Sequence, residues 1–158
     1  MPANEIRFDA SAKIFARPEV VWEILSDYDK GHPSILPPNA FSNYKVLKGG
    51  RGEGTVVTFV FRVNGVKRAI HDTVTTPEPG RTLVETTTDG STATTFSLSP
   101  LDDGRSTQLT ITTVQTPRLG LVGVVERLTM ALLIPSMRRI YQEEMQRLNE
   151  VARRWPLM

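Results

Sequence analysis

Hydrophobic and polar positions alternate cleanly at the start of the chain. Ile6, Phe8, Ala10, Ala12 and Ile14 share one parity, and Arg7, Asp9, Ser11 and Lys13 share the other. A period of two with one apolar side predicts a half-buried strand. The period then lengthens. In "RPEVVWEILSDYDK", Val21, Trp22, Leu25 and Tyr28 fall at helical spacing, Pro18 suits a first helical turn, and Glu19 suits the positive end of a helix. This predicts a short amphipathic helix. "KGHPSILPPNAF" follows with three prolines and has room for one further turn of helix.

From Phe41 to Gln115 the chain is rich in Thr and Val and is punctuated by turn residues at Gly49–Gly54, Asn64–Gly65, Pro77–Gly80, Asp89–Gly90 and Asp102–Gly104. Asn-Gly and Asp-Gly pairs favour tight hairpin turns, and strands joined by such turns are antiparallel. Six strands are predicted, at about 41–48, 55–63, 66–75, 82–88, 92–99 and 106–115. From about Val124 to Arg153 the spacing is helical again: Met137, Tyr141, Met145, Leu148, Val151 (or Ala152) and Trp155 recur every three or four residues. Pro135 lies inside this segment and predicts a kink or a break between two helices. The order implies an α+β fold. A seven-stranded antiparallel sheet with one apolar face needs a cover, and the last helix supplies one. No linker or repeat divides residues 1–158, so one domain is expected.

Composition removes several classes of function. No cysteine is present, which excludes disulfides, thiolate catalysis and zinc fingers, and it fits a cytoplasmic protein. The net charge is only +2, despite a pI near 9.1. The late cluster Arg138, Arg139, Arg147, Arg153 and Arg154 is interleaved with Glu143, Glu144 and Glu150, which reads as a solvated helix face rather than a nucleic-acid stripe. The longest unbroken apolar stretch, around Ala131 to Pro135, falls far short of a membrane span, so no stable membrane insertion is expected.

A glycine-rich loop, "GGRGEGT" from Gly49 to Thr55, invites comparison with phosphate-binding motifs. The dinucleotide pattern needs a third glycine where Thr55 stands, and the P-loop needs a lysine after its last glycine. Both motifs also open a helix, whereas this loop opens the strand "TVVTFVFRV". It reads as a connection with unusual backbone angles, and as a rim of any cavity nearby.

Strand, "P-x-x-V-W-x-x-L-S-D", proline-rich turns, and "V-L-K-G-G-x-G-x-G-T" opening a strand together resemble the START-like (SRPBCC) superfamily. The carrying residues are Pro18, Val21, Trp22, Leu25, Ser26 and Asp27, then Gly50, Gly52, Gly54 and Thr55. The branch it looks most like is polyketide cyclase/dehydrase and lipid transport. The resemblance spans nearly the whole chain. It implies a helix-grip fold, a curved seven-stranded sheet wrapped round a long C-terminal helix, with two short helices after the first strand. It also implies a cavity between sheet and helix. Many members hold hydrophobic ligands there, and some catalyse cyclisation or dehydration. The chain departs from the pattern after Asp27, where many relatives carry an aromatic such as Trp and this sequence has "YDKGHPSILPP".

The candidate chemistry is sparse. His32 and His71 are the only histidines, and no metal-ligand spacing is present, so neither a metal nor a cofactor is expected. His71 and Asp72 are adjacent in a predicted strand and point to opposite faces, with His71 on the more polar one. Val66, Ile70 and Val74 share parity with Arg68 and Asp72. If that face meets the cavity, Arg68 and Asp72 project into apolar surroundings, about 13 Å apart. Each then needs another partner, with Glu85 on hand. Asp72, Glu85, Arg68 and Tyr141 are the acid–base candidates. The ligand-binding candidates are Phe59, Phe61, Ile70, Leu83, Phe96, Leu98, Ile111, Met130, Ile134, Met137 and Tyr141, with Tyr44 as a further polar contact. The segment Gln115 to Glu126 is apolar and flexible, and reads as a cavity gate, as a weak membrane-touching loop or as a plain connection.

Three functions remain open from sequence. The first is binding of a hydrophobic small molecule such as a lipid, polyketide or isoprenoid. The second is a cyclase or dehydratase using cavity carboxylates. The third is a module that modulates a protein partner. A homodimer fits any of them.

Overall fold

The computed structural model describes residues 5–156. Strand β1 (Ile6–Ile14) leads into α1 (Pro18–Ser26) and α2 (Gly31–Ile35), as the change of period requires. Pro18 opens α1, and Val21, Ile24 and Leu25 are its buried face. Six strands follow: β2 (Phe41–Lys48), β3 (Val56–Val63), β4 (Val66–Glu78), β5 (Thr82–Thr87), β6 (Thr92–Leu101) and β7 (Ser106–Gln115). A single turn of 3-10 helix, Asp102–Gly104, joins β6 to β7, and α3 (Gly120–Arg154) ends the fold.

The strands form one antiparallel sheet in the order β1-β7-β6-β5-β4-β3-β2. Each hairpin pairs sequence neighbours, and β1 closes the meander by pairing with β7, Ile6 opposite Gln115 and Ile14 opposite Thr107. The β3–β4 turn sits at Asn64 and Gly65, both with positive φ, as the primed hairpin turn demands. The sheet and α1–α2 surround the second half of α3, where Met137, Tyr141, Met145, Leu148 and Val151 are buried against Phe8, Ile14, Ile24, Leu25 and Ile111. This is the helix-grip arrangement.

The register settles which residues face inward. Leu83 stands opposite Phe96 and Phe96 opposite Ile111, which in turn faces Ala10. One step toward the far end of the strands, Glu85 stands opposite Thr94, and Thr94 opposite Thr113, which faces Phe8. Inward positions have a period of two, so an apolar row is followed by a row carrying Glu85, Thr94 and Thr113. The same rule carries Val57, Phe59, Phe61 and Val63 inward on β3, opposite Asp72, Ile70, Arg68 and Val66 on β4.

Helix α3 differs from expectation in three ways. It starts at Gly120, so half of the supposed connection Gln115–Glu126 is helix. Glu126 accounts for this: its carboxylate folds back to accept hydrogen bonds from the Arg118 backbone N–H at 2.8 Å and from Arg118 Nε at 2.7 Å. The Arg118 carbonyl thereby lies so close to Gly123 that any Cβ there would be 1.5 Å from it. Gly123 is a packing glycine. Second, of the kink or break expected at Pro135, the break does not occur: the helix runs on through it, although proline removes the bond to the Ala131 carbonyl. Third, α3 contains an 18-residue window with mean hydropathy 1.4, long and apolar enough by length and composition to cross a membrane, with 17% of that window buried. Counting unbroken apolar runs misses it, because Glu126, Arg127 and Thr129 interrupt the pattern. Leu119, Leu121, Val122, Val124, Val125, Leu128 and Leu132 are all exposed.

Candidate functional site

A cavity of about 260 Å³ lies between the inner face of the sheet and α3. That is close to the lower end of the ~300–1,000 Å³ usual for small-molecule sites. Its lining follows from the register. Strands β2 and β3 supply Phe41, Tyr44, Val57, Phe59, Phe61 and Val63. The ring of Phe41 lies 5.4 Å from that of Phe59 and 5.0 Å from that of Phe61, forming an aromatic wall. Helix α3 supplies Met130, Leu133, Met137, Tyr141 and Glu144 along one stripe. The opening lies where exposed residues join the lining: Val66 and Arg68 from the β3–β4 hairpin, and Val125 and Thr129 from α3.

The polar floor is built by β4 to β7 and by the α1–α2 junction. Glu85 accepts a 2.7 Å hydrogen bond from the Tyr28 hydroxyl and faces His32 Nε2 at 3.3 Å. The opposite ring nitrogen, Nδ1, lies 2.8 Å from the Leu25 carbonyl. A carbonyl only accepts, so Nδ1 carries the hydrogen and a neutral His32 turns its Nε2 lone pair toward Glu85. Two lone pairs cannot face each other at that distance without a proton between them. Burial lowers the His32 pKa to about 4, partly offset by the Leu25 contact. Burial raises Glu85 to about 7, partly offset by the Tyr28 hydrogen bond. Below about pH 7 the shared proton therefore resides on Glu85 rather than on His32, and Glu85 donates to His32. The Tyr28 and His32 rings stack at 4.4 Å, and Phe96 meets the His32 ring edge-on at 5.5 Å.

Two more carboxyls face the same space. Asp72 stands opposite Thr87, two residues along β5 from Glu85, so both project from one face. Burial raises the Asp72 pKa to about 8, and the Glu85 charge adds to the rise. Glu144, on α3, is 3% exposed, and burial followed by the Glu85 charge raises its pKa well above the ordinary value. Its Oε1 has no hydrogen-bond partner among the described residues. Tyr141 shares a hydrogen bond with Thr113, which is bonded in turn to Thr94 at 2.9 Å. Burial raises the Tyr141 pKa further above its already high value, so it acts as a neutral hydroxyl.

The glycine loop positions Tyr28 and His32 without lining the cavity, contrary to its reading as a rim. It docks on the end of α1: the Gly50 carbonyl accepts from Tyr28 N–H at 2.8 Å, and Gly52 N–H donates to the Ser26 carbonyl at 2.9 Å. Gly50 has φ +138, and a Cβ there would meet the Asp29 carboxylate at 2.6 Å. The glycines are needed for this close approach.

Of the residues singled out from sequence, Phe59, Phe61, Ile70, Phe96, Met130, Met137 and Tyr141 line the cavity, as do Arg68, Asp72, Glu85 and Tyr44. Leu83, Leu98 and Ile111 do not; each is at most 3% exposed and packs in the core, although Phe96, between Leu83 and Ile111 in one row, reaches the cavity. Ile134 also misses, since the cavity stripe runs through Leu133 and leaves Ile134 a step round the helix. Glu85 does not pair with Arg68. Its partners are Tyr28 and His32, while Arg68 sits at the mouth, where its charge acts on Glu126. His71 is exposed, and no group of His, Asp and Glu able to hold a metal exists among the described residues.

Sequence reasoning missed Tyr28, His32 and Glu144. The first two lie in "YDKGHPSILPP", the segment that departs from the family pattern. The charge pattern groups Glu144 with the solvated acids, although its step of three from Tyr141 places it on the buried stripe.

Comparison with known proteins agrees with this architecture. A model of the polyketide cyclase/dehydrase and lipid transport family matches residues 5–153. Among solved structures, the chain is similar to the KanY protein (ms6282), with 26% identity, a TM-score of 0.77, and coverage of 94% of this chain and 98% of that one. It is similar in fold to the Zhui aromatase/cyclase from Streptomyces sp. R1128, with 20% identity, a TM-score of 0.70 and coverage of 95% and 94%. TTHA0849 from Thermus thermophilus shares the fold at 16% identity, with a TM-score of 0.69 and coverage of 90% and 97%. No curated protein matches significantly. The chain belongs to the polyketide cyclase/dehydrase and lipid transport family.

Proposed function

We propose that this protein binds, and carries, an apolar small molecule such as a lipid, polyketide or isoprenoid between its sheet and α3. The observation that carries the reading is the cavity of about 260 Å³ with its Phe41, Phe59, Phe61, Met130 and Met137 walls. Burying apolar ligand surface there supplies about 25 cal/mol per Å². The methionines let the wall adapt to the shape of the guest. Tyr44, Tyr141 and the floor carboxyls orient it. The whole chain acts as one ligand-binding unit, and the lack of cysteine supports a cytoplasmic setting. Native mass spectrometry of freshly purified protein, followed by organic extraction, tests this. A bound apolar compound that disappears in Met137→Trp supports it. A species with no bound mass, which also fails to take up any added apolar compound, refutes it.

A second reading is supported by a specific observation. Glu85 accepts a hydrogen bond from Tyr28 and shares a further proton with His32, and Asp72 holds another beside them. Groups with carboxyl pKa values near neutrality can both give and take protons, which is what a cyclisation or dehydration requires. Under this reading Glu85→Gln and Asp72→Asn abolish turnover of a polyketide-like substrate while its binding survives. Under the carrier reading the same changes leave transfer intact.

A further inference from the structure

The cavity floor is rich in carboxyls and poor in groups that could pair with them. Asp72, Glu85 and Glu144 face it, while the basic residues of the lining are His32, which burial keeps neutral, and Arg68, which is exposed at the mouth. Glu85 is committed to Tyr28 and His32. Asp72 and Glu144 form no ion pair with any described residue, and Glu144 Oε1 is fully buried with no hydrogen-bond partner. Gln115 Oε1, another acceptor on the lining, is likewise buried without one. Buried acceptors of this kind are costly unless a donor reaches them.

We infer that the cavity selects apolar molecules bearing a protonated amine, with Asp72 and Glu144 as acceptors for the ammonium and the Phe41–Phe59–Phe61 wall holding the apolar body. The inference rests on the ligand-binding reading above and narrows its ligand class. An ammonium is a pure donor, so it suits acceptors in a way that a carbonyl or carboxylate cannot. It also favours the ionised carboxylate over the neutral acid, so a carboxyl that meets the ammonium releases its proton as the amine binds. The burial that now raises both carboxyl pKa values is the cost that a cation in the cavity offsets.

Three probes of one shape test the inference by calorimetry near neutral pH: 2-(2-naphthyl)ethylamine, 2-(2-naphthyl)ethanol and 2-ethylnaphthalene. The expected result is that the amine binds at least about tenfold more tightly than either neutral probe, as one charge-assisted hydrogen bond would give. In Asp72→Asn, Glu144→Gln and the double variant, the amine-to-hydrocarbon affinity ratio falls toward one. Circular dichroism confirms folding of each variant, and either single variant suffices if the double does not fold. Amine affinity no greater than that of the alcohol or the hydrocarbon overturns the inference while leaving apolar binding intact. So does a ratio unchanged in the variants. Binding of none of the three probes overturns the ligand-binding reading itself.

Discussion

Glu85 is the residue on which the chemistry of the cavity turns. Its Oε1 takes the Tyr28 hydrogen bond and faces a histidine whose tautomer is set by a backbone carbonyl. Glu85 and Asp72 have folded pKa values of about 7 and about 8, both above their values in an unfolded chain. Groups raised in this way stabilise the fold fully below the unfolded value near 4, and that contribution is lost as pH rises through the folded values. Stability should therefore fall as pH climbs from about 5 to about 8. Glu85→Gln and Asp72→Asn should each flatten that fall. In denaturant titrations across this range, the flattening is expected to be on the order of 3 to 4 kcal/mol, since one pKa unit is worth about 1.4 kcal/mol. His32 works in the opposite sense. Its depressed pKa costs stability as pH drops from its unfolded value toward about 4. Tyr28→Phe removes a hydrogen bond that holds Glu85 down, so the Glu85 pKa should rise further when followed by carboxyl-carbon NMR. These residues are only partly legible in the sequence. Parity alone puts Asp72 and Glu85 on candidate faces. Tyr28 and His32 reach the cavity through a non-repeating turn held by the glycine loop, and no periodicity reports that.

At the scale of elements, the strands are legible in the sequence almost to the residue. Turn pairs such as Asn64–Gly65 and Asp89–Gly90 impose local geometry whatever the tertiary setting. The long helix is less legible, because its start and its continuity are set by contacts. Glu126 reaches back to Arg118, and packing over the core outweighs the proline. Two predictions belong here. Pro135→Ala restores the donor facing the Ala131 carbonyl and should stabilise the protein, by up to ~3 kcal/mol, in denaturant unfolding. Gly123→Ala drives a methyl into the Arg118 carbonyl. It should loosen the first turns of α3, seen as faster amide exchange over residues 120–130, while the second half of the helix keeps its protection.

For the whole molecule, the fold is a consequence of one sheet face needing a cover and of a helix that packs closely on that face only along its second half. The second half of α3 completes the core, while the first half spans the cavity and leaves its outer side exposed. Which rows are core and which are cavity is not legible in the sequence. Leu83 and Glu85 share parity and differ only in their distance from α1, a tertiary quantity. The central claim is that this cavity receives an apolar guest. Its most direct test is calorimetric titration of 2-ethylnaphthalene into the natural protein and into Met137→Trp, whose indole fills the space beside Tyr141. The account predicts saturable one-to-one binding in the natural protein and its loss, by about tenfold or more, in a folded Met137→Trp. Equal binding by both proteins, or no binding by either, would contradict it.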